Sequence, residues 1–414
     1  MIERLDLQAF KAFSRFTVTF GDQSFLVGPN SAGKSTVIAA LRTAGQMLRH
    51  AQRRQVDYDG ADGDRIVPAY SFSGGQFQLI DENLRHEFRN TETRLSVRYK
   101  GGGQLTAIWP PRPEDEDRDE DEDDTENFFY LRTGEGVFVR RAVQARNYFP
   151  SVSVLPLLSP VEYQEKVLDD AYVWETRNTR LASRHFRNLL RVMGERGAST
   201  GETTELESFL TWAEPWTPDF TIVDLSFRQG EQGRLLDVFC REAGSRTQKE
   251  LFWAGDGIQV WVELLAYLYM ARDADTIVLD EPDLYLHADL QRRLVRILES
   301  LDCQTIAASH SAEVLVEASP RAVVWVSKDR RRAVRAPTDA VLSDLSTAIG
   351  SQFNLRLARA LRSKAVLFVE GQDSRILRNF ARTLGAVELI NETNLITISL
   401  GATRIGNTSS PSSG

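Results

Sequence analysis

Nine consecutive residues, Gly28, Pro29, Asn30, Ser31, Ala32, Gly33, Lys34, Ser35 and Thr36, fit the spacing G-x-x-x-x-G-K-[ST], which forms a loop around phosphate groups. Its glycines let the backbone turn N–H groups onto the phosphates, and the following helix adds the positive end of its dipole. Lys34 then reaches the β- and γ-phosphates of ATP, and Ser35 offers its hydroxyl to Mg²⁺. Far downstream, Asp280 and Glu281 stand side by side at the end of an apolar run. Asp280 is placed to hold Mg²⁺, directly or through water, and Glu281 to activate the water that attacks the γ-phosphate. His310 closes another apolar run and is the candidate sensor of the γ-phosphate or the attacking water.

These side chains can meet only if strands bring them to one edge. A short apolar run at 24–27 precedes the loop and a helical pattern follows it. Thr276, Ile277, Val278 and Leu279 lack polar alternation and are rich in β-branched residues, as in a strand buried on both faces of a parallel sheet. Open α/β sheets bind ligands at the carboxyl ends of such strands. The run 304–308, ending in Ser309 and His310, has the same character.

Gly255, Asp256 and Gly257 lead into an apolar helix at 260–270. Bare backbone at a helix N-terminus is an anion-binding arrangement. One subunit already has a phosphate loop, so a second phosphate-facing turn implies two copies meeting head to tail. The alternative is a glycine turn that only lets the helix pack.

The remaining pattern is β-rich over 2–9, 15–20, 66–99, 127–132 and 136–141, apolar at 152–158, and helical from about 160 to 213. Within the helical stretch, Arg177, Arg180, Arg184, Arg187 and Arg191 recur at spacings of three and four, which predicts guanidinium groups along one helix face. That stripe either tracks phosphates or is a solvated face.

With 414 residues, 42% hydrophobic and 26% charged, the chain has enough apolar material for a full core, which excludes a wholly disordered protein. No eighteen-residue apolar window and no secretory layout occur, so a cytoplasmic protein without membrane partners is expected. Cys240 and Cys303 are too few for a disulfide framework or a four-thiolate zinc site. Eleven acids, one arginine and Thr125 fill 114–126; setting that run's −10 aside from the chain's −8 leaves +2. The body is therefore near neutral and arginine-rich, and the acidic run reads as a solvated loop, with a DNA-mimicking or autoinhibitory segment as the alternative.

The order GPNSAGKST, AGDGIQ, IVLDEPDLYLHADLQ and AASHSAEVL resembles the ABC-type ATPases related to the SMC and recombination-repair proteins, and especially the OLD-family ATPases. That resemblance implies an α/β fold: a two-lobed P-loop ATPase with a mixed sheet and a helical insertion, dimerising around two ATP molecules. It makes Gln76 and Gln78 candidates for a nucleotide-sensing glutamine, with a plain surface glutamine as the favoured alternative, and it implies that residues 283–289 form the loop crossing the dimer interface. Where many relatives carry a serine facing the partner's γ-phosphate, this sequence has Asp256, whose carboxylate would repel phosphate.

Residues 356–371 resemble the joint where OLD-family proteins pass into a TOPRIM nuclease domain. Glu370 matches that domain's early glutamate, but no later Asp-x-Asp follows, so this chain alone is not expected to complete a two-metal nuclease site. The resulting division is an ATPase domain over 1–354 with an acidic loop near 111–127, a partial TOPRIM-like segment over 355–405, and a disordered tail over 406–414. The expected function is a homodimeric or higher-order ATPase that gates DNA processing or anti-phage defence by controlling a nuclease or effector subunit, with DNA as a partner. The alternative is an ATP-gated scaffold that recruits an effector with little turnover.

Overall fold

Two sheets share the work of holding the phosphate loop. The computed structural model describes residues 1–73, 77, 83–112, 127–196, 203–217, 219–231, 233–335, 365–370, 373–385 and 395–400. The acidic run, Gln76, Gln78, the expected 354/355 boundary and the tail from 406 lie outside the described residues.

In chain order, β1 (Ile2–Phe10), β2 (Phe13–Thr19) and β3 (Gln23–Val27) lead into helix α1 (Lys34–Ala51). The strands β4 (Tyr58–Asp62), β5 (Arg65–Phe72), β6 (Thr93–Tyr99), β7 (Gln104–Trp109) and β8 (Asn127–Arg132) follow. Next come α2 (Ala142–Tyr148), β9 (Val152–Val154), α3 (Asp170–Thr176), α4 (Phe186–Glu195) and α5 (Glu205–Ala213). The strands β10 (Phe220–Gly230), β11 (Gly233–Glu242) and β12 (Lys249–Glu250) form a separate antiparallel sheet. The chain continues through α6 (Asp256–Ala271), β13 (Thr276–Asp280), α7 (Ala288–Ser300), β14 (Gln304–Ala308), α8 (Ala312–Glu317), β15 (Val323–Trp325) and β16 (Val334–Arg335). Finally β17 (Ala365–Glu370), α9 (Asp373–Leu384) and β18 (Leu395–Leu400) make a β-α-β unit whose two strands pair in parallel.

The first lobe is an antiparallel sheet of order β2-β1-β6-β7-β8-β5-β4, and the central sheet has order β16-β15-β3-β14-β13-β9. From β15 to β9 every central pairing is parallel; only β16 is antiparallel, which makes the sheet mixed. The period of two sorts its side chains between two cores. Leu26, Val278, Ile306 and Ala308 pack with α1 and the antiparallel sheet, while Phe25, Ile277, Leu279 and Ala307 pack with the helical lobe and α6. That burial on both faces explains why these strands read as unbroken apolar runs.

Three expectations need correction. Residues 136–141 do not form a strand: the chain turns around Gly134 and Gly136, the latter with φ 84°, and Phe138 makes a single bridge to Arg132 before α2 begins. The stretch from 160 is irregular until α3, so the helical insertion consists of α3, α4 and α5 with a short 3₁₀ turn, Ala182–His185, between the first two.

The arginine stripe is not one helix face. Arg177 stacks on Trp174 and Arg180 lies in the connection to the 3₁₀ turn. Arg187 and Arg191 are 1% and 8% exposed. Arg187 Nε donates to Glu250 Oε1 at 2.9 Å, and Arg191 pairs with Asp170 at 2.7 Å and Glu195 at 3.0 Å. Neighbouring carboxylates take up these charges, so neither a solvated face nor a continuous phosphate track runs along this segment.

Helix α6 crosses the second core with Glu263 fully buried. Burial pushes its carboxyl well above the ordinary range, with the Ser159 backbone partly offsetting this. The folded chain therefore holds a proton that the unfolded chain releases near pH 4–5, and stability falls by about 1.4 kcal/mol per pH unit from there up to the folded value. Glu263→Gln, neutral at every pH, should flatten that decline: thermal melts should show a Tm near wild type at pH 5 and above it at pH 8.

Candidate active site

The parallel register aligns the ends of three neighbouring strands. Asp280 of β13 is opposite Ala308 of β14, and Ala308 is opposite Leu26 of β3. The residues that follow, Glu281, Ser309 with His310, and Gly28, therefore leave the sheet at the same edge. Ser309 N donates to Leu26 O at 3.1 Å and Glu281 N to Ala308 O at 3.0 Å, which ties the three chain exits together.

The phosphate loop is shaped from behind. Gly33 has φ 101°, and a Cβ there would stand 2.2 Å from the Phe13 ring, which is stacked on Phe16. Only glycine meets both conditions. Gly28 is held as closely, since its Cβ would meet the Val326 carbonyl at 2.3 Å. Pro29 and Asn30 precede Ser31, which is exposed and left-handed at φ 62°, while Ala32 and Thr36 are buried. α1 then starts at Lys34 with Ser35 exposed in its first turn.

Lys34 is 4% exposed, and its Nζ donates to Gly28 O at 2.8 Å and Pro29 O at 3.0 Å. Burial pushes its pKa down to about 8 against the opposing pull of Glu281, Asp280 and Asp283. Asp280 is raised, first by burial and then by Glu281, and Arg42, Arg180 and Lys34 pull it back. Asp283 is pushed up to about 6 by burial, with Ser309 hydrogen bonding in the opposite direction. Glu281 sits at φ 47°, a left-handed conformation uncommon for a side-chain-bearing residue. Its Oε1 lies 3.4 Å from His310 Nε2. Burial and the Lys34 charge lower the His310 pKa, against Glu281, which favours the neutral ring.

Two arginines that no motif marks join this group. Arg42 lies eight residues after Lys34 on α1, and its charge acts on Asp280. Arg180 belongs to the arginine series, but its charge acts on Asp280.

Gly255, Asp256 and Gly257 form the start of α6, and a Cβ on Gly257 would meet Tyr285 O at 3.0 Å. Gln259, 1% exposed, fixes this turn by donating to Phe252 O and Ala254 O while accepting from Val161 N. Gly255 has ordinary extended backbone and open space around it. Nothing among the described residues therefore imposes a steric need for glycine there. Tyr285 on the adjacent loop is half exposed and left-handed at φ 65°.

Residues 24–317 match the family described as "AAA domain, putative AbiEii toxin, Type IV TA system". The chain belongs to that family. The match spans the phosphate loop, α6, the Asp280 strand and His310, and this AAA-family chain is an ATPase. It is also 23% identical over 405 residues to the OLD nuclease of Thermus scotoductus (strain ATCC 700910 / SA-01), covering 91% of this chain and 72% of the relative. Similar solved structures include the SMC head domain from Thermotoga maritima, at 17% identity and TM-score 0.42, covering 82% of this chain and 99% of that one. A SmcHead bound to the C-winged helix domain of ScpA has 13% identity and TM-score 0.49, covering 81% and 97%. The resemblance to OLD-family ATPases read from the motifs thus has a counterpart in a relative matched over most of the chain. Among the described residues, no helix is long and apolar enough to cross a membrane.

Proposed function

We propose that this ATPase works as a head-to-tail dimer that hydrolyses ATP to gate a nuclease or effector acting on DNA, in DNA processing or anti-phage defence. The observation that carries this reading is the meeting of Lys34, Asp280, Glu281 and His310 at one sheet edge, with Glu281 and His310 3.4 Å apart. Lys34 would exchange its bonds to the Gly28 and Pro29 carbonyls for phosphate oxygens. Glu281 would orient and deprotonate the attacking water, and neutral His310 would hold that water or the γ-phosphate through Nε2.

The residues fit a divalent cation. Asp280 Oδ1 is buried and has no hydrogen-bond partner among the described residues, and Ser35 is exposed beside the loop. One carboxylate and one hydroxyl suffice for Mg²⁺, because phosphates and waters complete its shell. When bound, the ion would neutralise phosphate charge. The open Gly255 turn supports approach by a second subunit, and Asp256 beside it would weaken contact with that subunit's phosphate. The likeness to the Thermus OLD nuclease supports a nuclease output. Glu370, ending β17, supports a TOPRIM-like beginning.

Complementation between two inactive variants tests the arrangement. Lys34→Ala disables one subunit's loop, and Gly255→Trp, which the open space accommodates, blocks the turn offered to the other. Each alone should be inactive. Mixed in equal amounts with free exchange, they should recover roughly a quarter of the wild-type rate, because half the dimers are mixed and each holds one intact site. No recovery despite subunit exchange refutes the shared site.

A further inference from the structure

At the far end of α1, roughly 22 Å from Lys34 at 1.5 Å per residue, lies a cavity of about 760 Å³ lined by Arg49, Arg53, Arg54 and Arg177. A second cavity of about 370 Å³ shares Arg49, Arg53 and Asn178 and adds Arg146, so the two form one elongated cleft. Among the described residues, Glu175 is the only carboxylate lining either cavity, and Arg49, Arg53, Arg54, Arg146 and Arg177 make no ion pair. Arg177 and Arg196 both stack on the Trp174 ring, at 4.0 and 3.6 Å, which holds one wall of the cleft.

An ordinary helix end does not account for this cluster. Arg49 and His50 in the last turn complement the α1 dipole. Arg53 and Arg54 lie beyond the helix, however, and Arg177 and Arg146 come from separate segments. Burial and neighbouring guanidinium charges lower Arg49 and Arg177 alike. A polyanion would relieve that repulsion. The lining arginines are spread along an open cleft rather than gathered around a glycine turn, so they suit phosphates spaced along a strand better than one compact triphosphate.

We propose that Arg49, Arg53, Arg54 and Arg177 form a track for the phosphodiester backbone of a nucleic-acid strand, and that its occupancy is transmitted to the ATP site. This rests on the DNA-directed reading above and names its surface. Two connections lead inward: α1 carries Lys34 at one end and Arg49 near the other, and Arg177 is three residues from Arg180, whose charge acts on Asp280.

The test uses the full chain, labelled single-stranded and duplex DNA, and fluorescence anisotropy over a salt series. Combined Arg53→Ala, Arg54→Ala and Arg177→Ala should flatten the slope of log affinity against log salt by about 0.7–0.9 for each phosphate neutralised by a removed arginine, or about 2–3 in all. The corresponding lysine replacements should largely retain it. Basal ATP hydrolysis should be unchanged and its stimulation by DNA abolished. Arg53→Glu alone, at an exposed position, should weaken binding without altering the thermal melt. An unchanged slope in the triple variant overturns the track while leaving DNA-directed hydrolysis standing. Absence of DNA binding by wild type at low salt overturns both. Displacement of the strand by an equimolar amount of inorganic tripolyphosphate overturns the track in favour of a compact polyphosphate site.

Discussion

Replacing Glu281 with glutamine is expected to lower the ATP hydrolysis rate by about 10²–10⁴-fold, the usual worth of a positioned general base. The amide keeps the side chain's length and its position 3.4 Å from His310, but cannot accept the water's proton. The backbone at φ 47° is set by the turn after β13 and by the Glu281 N to Ala308 O bond, neither of which involves the carboxylate. Folding and nucleotide binding should therefore survive. Phosphate release measures the missing step, and on the proposed dimer arrangement light scattering with ATP should show dimers accumulating. A wild-type rate would remove Glu281 from water activation. Lys34→Ala should differ in kind, since it removes a charge that meets the nucleotide before any water is activated.

What the sequence made legible follows from burial. Thr276 to Asp280 and Gln304 to Ala308 lie between two cores, so their apolar runs admit few readings other than central strands. Their shared edge then follows from parallel pairing. The β10–β11 hairpin is hidden because much of β10 is exposed and carries Asp224 and Arg228 among its apolar residues, which blurs the alternation. Arg42 lies within a helix that the pattern does mark, but its charge acts on Asp280 across space, 238 positions away in sequence, a relation that no local pattern carries. The arginine series shows a different limit. Spacings of three and four define a face without saying whether water or carboxylates cover it, and the acids that cover Arg187 come from residues 165 and 250.

Arg187 should consequently be among the most sensitive positions for stability. Its side chain is 1% exposed; Nε donates to Glu250 Oε1 at 2.9 Å and Nη1 to Glu162 O at 2.7 Å. Its backbone N donates to Glu165 Oε2 at 3.0 Å. Glu250 Oε2 in turn accepts from Phe252 N at 2.8 Å, where the chain turns toward Gly255. Arg187→Ala would leave a cavity and strand these carboxylates, at a cost of about 3–5 kcal/mol. A thermal melt should fall by about 1 °C for each kcal/mol of that cost if the 414-residue chain unfolds as one unit. Arg187→Met combined with Glu250→Gln removes both charges and fills much of the space, so it should be markedly less destabilised than Arg187→Ala. If Arg187→Ala melts like wild type, the pair contributes little and the guanidinium is free for other work. If only the double variant is stable yet ATP hydrolysis stays low, Glu250 is a positioning residue for the Gly255 turn, because its bond to Phe252 N would then matter beyond folding.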